Sequence, residues 1–243
     1  MNLILDSLPD VQKVIVTHSG GLDSSTAVIA CVEKYGAENV ISVGYNYGQK
    51  QSIELDRAQA LCDSLGVTRR LLDLGILGDI VRPVSANITG TDVNMPTIKE
   101  VLGDPQPVTE VPFRNMILFS MTAALAQVEE AGAIICGLQV HDQYSYWDTT
   151  QQFIDSINDI FSINRQHKIV LSAPFAALSK AEEIQLLISL GGKHTLLEHT
   201  LTCYNPDQEG RSCAKCPSCA ERIKAYMDLG LKDPIQYQME IPW

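Results

Sequence analysis

Apolar and polar positions alternate along the chain between two periods. Val14-Ile15-Val16-Thr17 is a short unbroken apolar run, Gly20-Gly21 follows, and Ser25 to Lys34 is rich in Ala, Val and Ile before Tyr35-Gly36. A buried strand, a glycine turn and a helix account for this order. Asn39 to Tyr45 repeats the strand pattern, Ser52 to Leu65 carries Ile53, Leu55, Ala58, Leu61 and Leu65 at helical spacing, and Val67 to Leu74 is a third strand. Asn115 to Ala131 has its apolar residues on one helical face, Ala133 to Leu138 predicts a fourth strand, and Gln151 to Ile163 an amphipathic helix. Lys168 to Ser172 is the fifth strand, and Ser179 is placed to cap a helix over Lys180 to Leu190 with Glu182 and Glu183 in its first turn. From Gly75 to Pro112 the period dissolves into Gly, Pro, Asn, Asp and Thr, which predicts a long loop near the active site. Strands alternating with helices in this way predict an α/β fold: a doubly wound parallel sheet with its ligand at the carboxyl ends of the strands.

Length adds one constraint. The 243 residues suffice for one large domain or a domain with an appendage. The division expected is an α/β domain over 1–195 and a C-terminal segment over 196–243. A formal charge of -11 disfavours broad contact with a nucleic-acid backbone and fits a small-molecule substrate better. Met1 to Asp6 has no basic segment, and no stretch has the length of a membrane span, so a cytoplasmic protein without membrane contact is expected.

The glycine turn carries the first chemistry. In Ser19-Gly20-Gly21-Leu22-Asp23-Ser24-Ser25, the glycines let successive N–H groups converge on one anion, the following helix dipole adds positive potential, and three serines add hydroxyl donors. No Gly-Lys-Ser/Thr triplet follows, which separates it from the loop that grips a terminal phosphate. The plainer alternative is an ordinary strand-to-helix connection capped by Asp23 or Ser24.

Seven cysteines divide into three scattered residues and a cluster, Cys203, Cys213, Cys216 and Cys219, with spacing C-x9-C-x2-C-x2-C. Four thiolates complete a tetrahedral shell, so a structural zinc is expected, an iron–sulfur cluster is the second reading and free thiols the third. A short helix over Ala220 to Leu229 would pack this knuckle on the domain.

Ser19 to Ser25 resembles the signature of the ATP pyrophosphatases, or PP-loop enzymes. The further strings Tyr47-Gly48-Gln49 before Glu54-Leu55, and Thr200-Leu201-Thr202-Cys203-Tyr204-Asn205 beside the cysteines, are similar to the QueC family of 7-cyano-7-deazaguanine synthases. That resemblance runs over nearly the whole chain. It implies the adenine-nucleotide alpha-hydrolase (HUP) type of sheet, a structural zinc and a homodimer. It also implies adenylation of the carboxylate of 7-carboxy-7-deazaguanine by ATP, attack by ammonia to give an amide, and a second ATP to give the nitrile, with AMP and pyrophosphate released.

By the same resemblance Ser19, Gly20, Gly21, Leu22, Asp23, Ser24, Ser25, Tyr47 and Gln49 are the expected ATP and magnesium site. Asp23, Arg114 and Lys180 are the expected catalytic groups, the two cations stabilising the leaving pyrophosphate. Asn115, Asp142, Tyr146 and Asp148 are the expected substrate residues. The chain departs from the family at Phe113, where glycine is usual, and at Asp142 to Thr150, where a Gly-Tyr-Pro turn and an arginine are missing. Those departures keep open a QueC-like enzyme of an antiphage defence system that joins the deazaguanine acid to a protein or other amine. A PP-loop tRNA-modifying enzyme is disfavoured by the acidic charge, and a nucleotide-sensing module by the intact turn. Of the five histidines, His141 and His199 are those near the motifs, and neither has a chemical role beyond a satisfied or exposed histidine.

Overall fold

Five parallel strands form one sheet in the order β3-β2-β1-β4-β5. The structure, a computed structural model, describes residues 3–50, 53–94, 110–139 and 146–243. In chain order the elements are α1 (Leu3–Asp6), β1 (Val14–Thr17), α2 (Leu22–Tyr35), β2 (Val40–Asn46), α3 (Ile53–Leu65), β3 (Thr68–Asp73) and α4 (Gly75–Val81). Then come α5 (Arg114–Val128), β4 (Ala133–Cys136), α6 (Gln151–Ser162), β5 (Val170–Ser172), α7 (Lys180–Ser189) and α8 (Pro217–Asp228). Among the described residues no helix is long and apolar enough to cross a membrane.

β1 lies at the centre, Val14 pairing with Val40 on one side and Ala133 on the other. Side-chain alternation then decides the layers. Ile15, Ile41, Val43 and Ile134 face a core completed by Leu77, Leu118, Phe119, Phe153 and Ile157 from α4, α5 and α6. Val14, Val16, Val40, Ala133 and Ile135 face the opposite core of Ala27, Val28, Cys62 and Leu186 from α2, α3 and α7. Both faces of β1 and β4 are therefore covered, which is why these strands read as unbroken apolar runs. The order reverses between β1 and β4, and at such a reversal the two halves wind apart and leave a crevice at the carboxyl ends.

The expected loop from Gly75 to Pro112 is in part a helix. α4 buries Leu77 and Val81, and Ile88 beyond it joins the same core. Its sequence, Gly75-Ile-Leu-Gly-Asp-Ile-Val81, has weak helix propensity because of two glycines, so burial of its apolar side forms it. Residues 95–109 of that expected loop lie outside the described ones.

The C-terminal segment is tied to the sheet domain by a third core, in which Leu22 and Ile29 of α2 meet Ile184, Leu187, Ala225 and Tyr226. Arg222 on α8 is fully buried there. It donates to both carboxylate oxygens of Asp233 at 2.7 and 2.9 Å, to Thr200 Oγ1 at 2.6 Å and to the Leu197 carbonyl at 3.1 Å. Tyr237 donates to the same aspartate, so the last turns of the chain close over one paired charge.

Candidate active site

The crevice between β1 and β4 is floored by the glycine turn. α2 opens on Gly21 in extended conformation with no side-chain cap, so neither Asp23 nor Ser24 is the N-cap. Its first N–H groups are left without side-chain acceptors, and a 14-residue helix directs its positive end at the same point. Gly20 has φ +104°, and a Cβ there would lie 2.0 Å from the Glu54 carbonyl oxygen, so the turn needs glycine both for its backbone conformation and for its approach to α3. From above, Leu201 N–H donates to the Gly20 carbonyl at 2.9 Å. Ser19 and Ser24 hydroxyls meet at 3.1 Å on the turn. The side chain of Leu22 is buried in the third core, so only its backbone can serve the site.

Ser25 is buried and supports the turn from behind. Its hydroxyl lies 3.0 Å from Nε2 of His18, whose Nδ1 lies 3.0 Å from Ser42 Oγ. Arg69 reaches the cluster through a slot left by Gly44, donating to Ser42 Oγ at 2.8 Å and lying 3.3 Å from Nδ1. Arginine can only donate, so Nδ1 is the bare acceptor and Nε2–H donates to Ser25. Burial, and then the Arg69 charge, hold the His18 pKa well below its ordinary value, so the ring is neutral. Sequence reasoning passed over His18 and Arg69: nothing local marks a histidine before Ser19, or an arginine two strands away, as props of the turn.

Two expected catalytic residues meet across the crevice. Lys180 Nζ lies 2.8 and 3.1 Å from the oxygens of Asp23, and 3.5 Å from Gln139 Oε1 just beyond β4. Ser179 and Glu182 form a reciprocal capping box that fixes the start of α7 and so the position of Lys180. Behind this pair Glu183 is fully buried and accepts from Gln139 Nε2 at 3.1 Å. Burial first, and then the charge of Asp23, push its pKa up to about 9, so it is an acid at neutral pH. Gly137 permits the whole assembly: a Cβ on it would lie 2.7 Å from the backbone nitrogen of Ser24.

Arg114, Asn115, Tyr146 and Asp148 form a second group at the start of α5. Asn115 N–H donates to Asp148 Oδ2 at 3.1 Å, and its side-chain amide donates to the Asp148 carbonyl at 3.0 Å, both residues being buried. This pairing fixes the helix start. Burial alone would lower the Arg114 pKa, but Tyr47, Asp148 and Tyr146 outweigh it and the net shift is upward. The Gln49 side chain closes the β2–α3 turn by accepting from Tyr47 N–H at 2.9 Å and donating to the Tyr45 carbonyl at 2.9 Å. Asp142 and His141 lie outside the described residues, and His199 pairs with Glu198.

The two departures from the family pattern meet in space. Phe113 is the N-cap of α5 at φ 56°, the left-handed region where glycine is unstrained, and its ring packs edge-on against Trp147 at 5.3 Å. Trp147 in turn packs against Phe153 at 5.4 Å. An aromatic contact thus offsets the backbone cost of the missing glycine.

Tyr204, beside Cys203, keeps 58 % of its surface open. Desolvation of its hydroxyl pushes the pKa up to about 12, with Tyr146, Cys216, Glu221 and Glu54 adding to the shift.

The sulfurs of Cys203, Cys213, Cys216 and Cys219 all lie within 4.8 Å of one another, with Cys213 and Cys219 at 3.9 Å. Tetrahedral coordination at about 2.3 Å per bond places sulfurs about 3.8 Å apart, so the set fits a metal ion closely. Backbone N–H groups of Asn205 and Cys213 donate to Cys203 Sγ, and those of Lys215 and Cys216 to Cys213 Sγ, which suits thiolates.

The chain matches the family model described as "Queuosine biosynthesis protein QueC" over residues 13–230. It is 33% identical over 228 residues to the 7-cyano-7-deazaguanine synthase of Pseudoalteromonas atlantica, covering 94% of this chain and 100% of that one. Identity is 31% over 227 residues to the enzyme of the same name from Marinomonas sp., covering 93% and 99%. It is 30% over 238 residues to that of Caldicellulosiruptor bescii, covering 95% and 100%.

Proposed function

The chain belongs to the QueC family of queuosine biosynthesis proteins, and from that premise we propose that it converts 7-carboxy-7-deazaguanine and ammonia, with two ATP, to 7-cyano-7-deazaguanine, AMP and pyrophosphate. The observation that carries this reading is the uncapped start of α2 at the β1–β4 reversal, with Lys180 held above it by Asp23.

In this reading the N–H groups of the glycine turn and the hydroxyls of Ser19 and Ser24 hold the pyrophosphate part of ATP. Lys180 exchanges Asp23 for the phosphates as charge grows on the leaving group, and positioning with electrostatics supplies most of the rate. Arg114 is the second cation for the leaving pyrophosphate and Tyr146 lines the acceptor side, while Asn115 and Asp148 hold the start of α5. Magnesium would enter with the nucleotide, and Asp23, released as Lys180 turns to the phosphates, is the carboxylate beside the glycine turn that would help hold it. The four cysteines would hold zinc in a closed shell that leaves no position for substrate, and its binding free energy would fold the knuckle. The chain works as a homodimer.

The test is direct. Protein incubated with ATP, magnesium, 7-carboxy-7-deazaguanine and ammonium is followed for AMP and product mass. Nitrile with two AMP per product is expected. No AMP with any deazaguanine acid, or AMP formed only when a protein amine is added, overturns the reading.

A further inference from the structure

Lys180 has to leave Asp23 for the phosphates as adenylation proceeds, and a lysine on its long flexible stem needs a second hold to arrive at one place. Gln139 supplies it, with Oε1 lying 3.5 Å from Nζ. Glu221 on α8 stands farther off at 4.0 Å with 63 % of its side chain open, which makes it the weaker partner. Gln139 is half-buried just beyond β4, and two acceptors fix its amide. Nε2 donates to the Leu178 carbonyl at 3.2 Å and to Glu183 Oε1 at 3.1 Å. Turned over, the amide would set its own oxygen against the Leu178 carbonyl, so the donors stay on that side and the oxygen stays towards Lys180.

Glu183 is fully buried and stands three residues after Lys180 on α7, which puts the two on neighbouring positions of one helix face. No donor among the described residues reaches its other oxygen, Oε2, which is also buried. An ionised carboxyl would leave that oxygen charged and unsatisfied and would compete with the phosphates for Lys180, whereas an uncharged one still accepts from Gln139.

We propose that Glu183 is a positioning residue for the departure of pyrophosphate: it holds the Gln139 amide, whose oxygen keeps the Lys180 ammonium over the glycine turn as Asp23 lets it go. The role rests on the ligase reading above. No bond to Glu183 forms or breaks, and it keeps its proton throughout. Burial and then the Asp23 charge raise its pKa to about 9 against the opposing pull of Lys180 and Gln139, so the carboxyl is neutral at neutral pH. The charged groups around it are Asp23 on α2, Lys180 on its own helix and, beyond Lys180, Glu221 on α8. Lys193 and His199, in the turn packed on α7, pair with Glu33 and Glu198 instead.

Three variants test this by acid-dependent exchange between ATP and pyrophosphate, which reads adenylation. Glu183→Gln keeps an uncharged acceptor for Gln139, and its kcat at neutral pH is expected within about threefold of wild type. Glu183→Leu has no acceptor and should lose about tenfold or more in kcat with KM for ATP changed by less than about twofold, because Lys180 serves the transition state more than the bound nucleotide. Gln139→Met removes the amide from a half-buried position beyond the sheet and should lose as much, which decides the matter even where Glu183→Leu does not fold. Wild-type exchange should fall as pH rises through about 9, where the carboxyl ionises and draws on Lys180, and Glu183→Gln should not share that fall. Equal losses in Glu183→Gln and Glu183→Leu, full kcat in Gln139→Met, or the same alkaline fall in wild type and Glu183→Gln would each overturn the proposal. Absence of exchange in the wild type with any deazaguanine acid would instead sink the ligase reading beneath it.

Discussion

Replacing Gly137 with alanine tests the site at its tightest point. Gly137 follows β4 with no positive φ, so the substitution changes space and leaves the backbone conformation allowed. The added Cβ would lie 2.7 Å from Ser24 N and 2.8 Å from Asp23 C, where ordinary contact begins near 3.4 Å, so the start of α2 must retreat by about 0.7 Å. Those atoms are backbone and have no rotamer to change. Overpacking of this kind costs about 1–3 kcal/mol, and misplacement of a site by about 1 Å can lower turnover a hundredfold. Expected, then, is a ten- to hundredfold loss of ATP–pyrophosphate exchange by a protein that still folds, checked by far-UV circular dichroism. Gly132→Ala is the control: its Cβ would meet the Val11 side chain at 2.8 Å just before the amino end of β4, a clash at nearly the same distance but far from the crevice and against a side chain that can shift. Exchange at the wild-type rate in Gly137→Ala, or equal losses in both variants, would refute the reasoning.

Three further outcomes follow from the same geometry. Arg222→Ala leaves Asp233 buried and unpaired, which costs about 3–5 kcal/mol and lowers Tm by roughly 6–20 °C; a fall below about 2 °C would show that the pair does not anchor the tail. Because folded His18 resists protonation while the unfolded chain does not, stability is fully present above the unfolded pKa and declines as pH falls below about 6.5. His18→Gln should flatten that decline between pH 6.5 and 5, whereas Glu54 and Glu183, raised in the fold and so stabilising at low pH, act equally in both proteins and cancel; parallel melting profiles would refute the neutral-ring assignment. Elemental analysis should find one zinc per chain, lost in Cys216→Ser together with cooperative melting of the knuckle, and iron with a visible chromophore would overturn zinc.

Much of the fold was legible because its strands and long helices carry period and caps locally. Ser179 with Glu182 is one such case, and Gly36 closing α2 at φ 79° is another. α4 was not legible: two glycines in seven residues hide a helix that exists through burial of Leu77 and Val81. The site was legible as two motifs without their supports. Phe113 and the segment Asp142 to Thr150 each stood out as a departure, yet the contact of Phe113 with Trp147 crosses from one loop to another and has no local sign.

The sequence by itself determined the glycine turn, the alternation that winds a parallel sheet, and the cysteine spacing that suits a metal, since each depends on backbone freedom or side-chain period within a few residues. Only the tertiary structure decided which distant groups serve that turn: Lys180 on Asp23 across 157 positions, Gly137 against Ser24, His18 and Arg69 beneath Ser25, and Glu54 beside Gly20. The physical reason is that strand order and the packing of helices on both faces set those distances, and short-range propensity carries no information about them.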